Sequence, residues 1–254
     1  MAMGYMTDNK KNHILKFFYL SIFGIAFAFI EAAVVVYLRQ LYYPQGFQFP
    51  LSSLMPDFIY LIEIFREFST IIIIVSVAFL CGKRFIERFA YFLYIFAIWD
   101  IFYYVFLKVT LGWPSSILTW DLLFLIPVPW TSPVLFPIIC SVTMIVLSIL
   151  LYNLNCRYNL NNLSGPEWGL LIGGAFIVFI SFIWEYVKFI FDNINLVSDS
   201  ESLKIISAGF APGEYHWEVF IIGEIFIISA IVFILRRSGL KNNQDIKEIE
   251  TENN

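Results

Sequence analysis

At 254 residues, with 59% hydrophobic and only 14% charged side chains and a mean hydropathy of +0.76, the chain lies far from the roughly 25% charged residues of an ordinary soluble domain. It reads as a membrane protein. Its net charge of -4 is spread along the sequence without a basic stripe, which excludes nucleic acid as a partner.

A bilayer core takes about 20 apolar residues per helix, and that length picks out six spans, near 15–38, 58–80, 89–108, 131–152, 168–191 and 216–235. The expected fold is an all-α integral membrane protein, a six-transmembrane-helix bundle over 15–236. A cytoplasmic N-terminal segment, 1–14, precedes it, and a charged, disordered cytoplasmic tail, 237–254, follows. The first span comes after Lys10, Lys11 and Lys16 as a signal peptide would, but it is about 24 residues long and lacks a small-x-small cleavage site, so it is read as uncleaved.

The first span carries Glu31 and ends at Arg39. On the second, Tyr60, Glu63, Glu67 and Thr70, with Arg66 beside them, recur at helical intervals and form one polar stripe. Lys83, Arg84 and Arg88 separate it from the third span, where Asp100, Tyr103, Tyr104 and Lys108 form a similar stripe. Next comes SILTWDLLFLIPVPW, Ser116 to Trp130. It is apolar but short, and Pro127 and Pro129 stop it continuing as a helix. The expected form is a Pro-rich interfacial or re-entrant segment leading into the fourth span, because non-helical backbone at membrane depth is tolerated only against protein or a wet cavity. Arg157 follows the fourth span. The fifth carries Ser181, Glu185, Lys188 and Asp192, and the sixth opens with Glu218 and Glu224 and is followed by Arg236, Arg237 and Lys241. Every second connection is basic, which places both termini in the cytoplasm and the chain in the cell's inner membrane.

Seven carboxylates fall within these spans: Glu31, Glu63, Glu67, Asp100, Glu185, Glu218 and Glu224. Facing lipid they would cost on the order of 20 kcal/mol together, so they must face the bundle interior. The derived orientation puts all of them in the outer half of the membrane or at mid-depth. They imply an outward-opening acidic and aromatic cavity among the first, second, third, fifth and sixth spans.

Four of the 7 tryptophans are followed at once by an acid (Trp99-Asp100, Trp120-Asp121, Trp184-Glu185, Trp217-Glu218), where chance among 20 acids in 254 residues gives fewer than one such pair. Adjacent helix residues point about 100° apart, so each acid can face the cavity while its Trp packs on a neighbouring helix or in the aromatic belt. Trp120-Asp121, in an outer connection, is expected to form the cavity's lid or rim.

The runs EAAVVVYLRQLYYPQGFQFPL, the Arg66-Glu67 pair, WDIFYYVFLK and GWPSSILTWDLLFLIPVPW resemble a family of polytopic prokaryotic membrane proteins over roughly the first 140 residues. No activity comes with that resemblance.

Three functional readings follow. Intramembrane acids outnumber Arg66 and Lys188, so some hold protons or meet a cation, which fits cation- or proton-linked transport of a small solute. Alternatively, Glu63 and Glu67, four residues apart, act as acid and base in a membrane enzyme working on a lipid or isoprenoid-type substrate. Arg39, Lys108 and Lys188 would then hold an anionic lipid headgroup. In the third reading the acids pair with a membrane-protein partner, the chain being a subunit or assembly factor of a complex. The site residues are Glu31, Arg39, Glu63, Arg66, Glu67, Asp100, Tyr104, Lys108, Asp121, Glu185 and Lys188, with His216 and Glu218 as a metal pair. With two histidines in the chain and no P-loop, GxSxG or Rossmann fingerprint, neither haem nor a nucleotide is signalled. The odd cysteine count, Cys81, Cys140 and Cys156, gives no disulfide framework.

Overall fold

The computed structural model describes the backbone of residues 2–50, 56–158, 160 and 162–252 and, apart from 158 and 200, the side chains of those between 14 and 239. Six long helices carry the fold: α1 (Ala2–Tyr42), α2 (Asp57–Cys81), α3 (Phe85–Leu111), α4 (Leu135–Tyr158), α5 (Gly165–Asp192) and α7 (Trp217–Glu252). Each includes a stretch long and apolar enough to cross a membrane. A β-hairpin, β1 (Trp120–Phe124) and β2 (Trp130–Pro133), lies between α3 and α4, and a short helix, α6 (Ser200–Ala208), lies between α5 and α7.

The helices begin and end where the chain chemistry dictates. Pro56 holds an extended backbone just ahead of α2, and Gly112 closes α3 at φ 67, a left-handed turn that glycine enters freely. The Ser164 amide donates to Glu167 at the start of α5. The fourth span starts later than expected, because 131–133 pair with β1, Ser132 opposite Asp121, and the helix begins at Leu135. Of the expected disordered tail, residues 253–254 and the side chains from 240 on lie outside the described residues; the backbone is helical through Glu252.

α3 is the hub. α1, α2 and α4 all pack on it, and a second unit of α5 and α7 joins through α4 and the hairpin. α5 and α7 approach at backbone contact: a Cβ on Gly174 would lie 2.7 Å from the Gly223 carbonyl oxygen. A Cβ on Gly24 would likewise meet Ile98 at 2.9 Å, where α1 crosses α3. Small residues at such crossings let helices close without a hydrophobic driving force.

The two halves of the bundle differ. Away from the hairpin a continuous apolar core, including Leu20, Ile74, Ala78, Ile86, Ile95, Leu151 and Ile234, seals the interior. α2 shows the division along one stripe, burying Glu63, Glu67 and Thr70 early in the helix and Ile74 and Ala78 late in it.

The hairpin is re-entrant. Its Phe124 packs against Phe96 and Trp99, midway along α3, and Trp130 packs against Phe179, midway along α5. Asp121, Thr131 and Ser132 are buried. Strand pairing satisfies much of the backbone there, and the Leu125 amide at the hairpin's turn donates to Glu67 at 2.8 Å, so Glu67 also serves a structural end.

Candidate functional site

At the hairpin end the helices splay around a cavity of about 950 Å³, lined from α1, α2, α3, the hairpin, α4, α5 and α6. α2 packs on α3 but makes no extended contact with α4 or α5, and the cavity fills the gap between them. α6 crosses its mouth, where Lys204 reaches Asp57 of α2.

Two arginines organise the cavity acids. Arg39, at the end of α1, donates to Asp121 at 2.9 Å with both side chains buried. Its guanidinium lies over the rings of Trp113 at 3.7 Å and Phe47 at 4.4 Å. Burial pushes the Asp121 carboxyl above the usual range, and Arg39 pulls it back. Arg66 pairs with Glu31 of α1 and, at 2.7 Å, with Glu63 one turn back on α2. Thr70 donates to the other Glu31 oxygen.

Glu67 and Asp100 have no such partner. Glu67 accepts from the Leu125 amide and Asp100 from the Ser141 hydroxyl at 2.8 Å. Neither makes an ion pair among the described residues. Behind this wall Glu224 of α7 is buried and accepts from Thr143.

The structure therefore gathers Glu31, Arg39, Glu63, Arg66, Glu67, Asp100, Tyr104 and Asp121 around one cavity. Asp121 stands in its wall rather than at the rim, because a strand turns Asp121 inward while Trp120 packs on Tyr215. The remaining residues lie elsewhere. Lys108 donates to the Gly112 and Pro114 carbonyls and closes the end of α3. Glu185 accepts from the Gly213 amide and meets His216. Lys188 is exposed. Among the described residues the sixth span, α7, contributes nothing to the lining; α4 and the hairpin take its place.

His216 does not gather ligands for a metal. Its Nε2 faces Glu185 at 3.2 Å and its Nδ1 faces Glu218 at 3.1 Å, so the carboxylates sit on opposite edges of one ring. No group of three His, Cys, Asp or Glu among the described residues is placed to hold a metal. The three cysteines are free.

Sequence reasoning missed the inward face of the hairpin and the contribution of α4. The signals were present as Cys140-Ser141 within an apolar run, and as Trp130 closing a proline-broken segment that could only be buried.

The fold and the cavity define a multi-pass membrane protein whose polar groups converge at one end of a six-helix bundle. No family model, curated protein or solved structure matches the chain.

Proposed function

We propose that the cavity is the working site of proton-linked transport of a small solute, in a chain that sits in the inner membrane of a prokaryotic cell with both termini in the cytoplasm and the cavity facing outward. One observation carries the reading. Of the five carboxylates deep in the cavity, inward of Asp57 and Glu201 at its mouth, Glu31, Glu63 and Asp121 are offset by Arg66 and Arg39, whereas Glu67 and Asp100 meet only neutral donors among the described residues. A carboxylate without a counter-charge in a low-dielectric interior carries a proton or waits for a cation. The apolar core beyond the cavity acts as the barrier that a transport cycle opens on the other side.

The test uses proteoliposomes with a pH dye trapped inside, challenged with a panel of amines, amino acids and sugars. Wild-type protein moves protons with one of them; Glu67→Gln and Asp100→Asn, each still folded, do not. A wild type that moves none, or variants that match it, overturns the reading.

A second reading, an enzyme acting on a lipid or isoprenoid-type substrate, is favoured by the gap between α2 and α5, through which an amphiphile could enter from the bilayer. Native mass spectrometry of detergent-purified protein separates the two: a stoichiometric amphiphile that is turned over supports the enzyme, and a bare chain supports transport.

A further inference from the structure

We propose that the ligand of this cavity is an organic cation with an apolar or aromatic body. The inference rests on the cavity being the working site, and it names what the site takes.

Charge sets the sign. Seven acids and three basic residues line the cavity, Asp57, Glu201 and Lys204 among them at its mouth, leaving a formal excess of four negative charges if all are ionised. The excess has a definite address. Glu67, in the cavity wall, is more than nine-tenths buried; one of its oxygens is fixed by the Leu125 amide, and the other meets no hydrogen-bond donor among the described residues. Asp100, only partly buried, likewise accepts from Ser141 with one oxygen. An anion would meet these oxygens with repulsion, and a neutral ligand would leave them uncompensated.

The walls set the kind of cation. A small hard ion such as calcium takes six to eight oxygens at about 2.4 Å, and no three ligating side chains among the described residues converge that way. Instead, eleven of the lining residues are aromatic, among them Trp99, Tyr103, Phe124, Trp130 and Phe182. Aromatic faces attract desolvated cations. A cavity of about 950 Å³ is at the upper end for drug-sized ligands, roughly 300–1,000 Å³. The protein already houses one organic cation in this way: the Arg39 guanidinium lies over Trp113 and Phe47 and is held by the buried Asp121. The cavity offers a second such setting, with Glu67 and Asp100 in the place of Asp121 and, among the described residues, no side chain ion-paired with either.

The experiment is equilibrium binding of tetraphenylphosphonium to the detergent-purified full chain, with tetraphenylborate as an anion of the same shape. Saturable binding of the phosphonium at least tenfold tighter than of the borate is expected. Glu67→Gln and Asp100→Asn should each weaken it by about tenfold, and Phe124→Leu should weaken it severalfold. Thermal melting accompanies each variant; if Glu67→Gln fails to fold, Asp100→Asn carries the test. Equal binding of the borate, or phosphonium binding unchanged in a folded Asp100→Asn, overturns the inference. Phosphonium binding without proton movement by any solute leaves the inference standing and removes proton-linked transport; proton movement with a sugar or an anion and no phosphonium binding does the reverse.

Discussion

Replacing Asp121 by Asn removes the only ion-pair partner that Arg39 has among the described residues and leaves the guanidinium, with 8% of its side chain exposed, charged inside the bundle. Breaking a buried pair from one side costs about 3–5 kcal/mol, whereas replacing both members by apolar residues of similar volume is often neutral. At roughly 2–4 °C per kcal/mol for a protein of this size, Asp121→Asn should melt about 10 °C below wild type. The Arg39→Met/Asp121→Leu double variant should recover most of that loss, although the cation–aromatic contacts to Trp113 and Phe47 go with it. Melting followed by tryptophan fluorescence in one detergent measures both. A single variant within about 2 °C of wild type, or a double variant no better than the single, would refute the view that Asp121 holds Arg39 in place.

Other expectations follow from the same packing. Gly174→Leu must push α5 off α7 and should cost about 1–3 kcal/mol as an overpacked site, while Gly173→Leu, whose added Cβ would find its nearest neighbour at 3.8 Å, should melt close to wild type. Arg66→Met leaves Glu31 and Glu63 without their shared cation and should destabilise by about 3 kcal/mol, a loss that added Glu31→Gln and Glu63→Gln changes reduce. The Asp199 carboxyl caps α6 by accepting from the Ser202 amide at 2.8 Å, and the Ser202 donors hold it below the usual carboxylate value of 3.8. Its capping is therefore fully present above that value and is lost as pH falls through the depressed one. The protection of amides 200–208 from hydrogen exchange, taken relative to the intrinsic rate at each pH, should fall on acidification, and Asp199→Ala should show the lowered protection already at neutral pH.

What the sequence disclosed and what it hid divide along the length scale of the interaction. Span length and local composition gave the six helices, because a bilayer thickness translates directly into residues. Helical spacing gave the stripe Glu63, Glu67 and Thr70, which the structure buries on one side of α2. Spacing within one helix does not say what stands opposite it, however. Lys108 fits the stripe of α3 and yet folds back onto the carbonyls of its own terminus, and Glu185 is taken up by a loop amide at Gly213, 28 residues on. The hairpin escaped for a related reason. Of the five β1 residues only Asp121 is buried and the others are partly so; four apolar residues around one acid show no clean alternation, so Trp120–Phe124 reads the same as a piece of apolar helix. Only Pro127 and Pro129 pointed away from that.

The re-entrant hairpin also constrains how the molecule is made. An apolar helix can enter the bilayer alone, its backbone satisfied internally, but two strands carrying Asp121, Thr131 and Ser132 cannot. Arg39 emerges from the ribosome 82 residues before Asp121 and waits unpaired through the synthesis of α2 and α3. Phe179 and Phe182, which cover Trp130, arrive only with α5. The hairpin cannot find its final place until most of the bundle has been threaded, so the residues that shape the cavity settle last. A defect in α5, remote in sequence from the buried acids and arginines of the site, would be felt first as a failure of biogenesis rather than of chemistry.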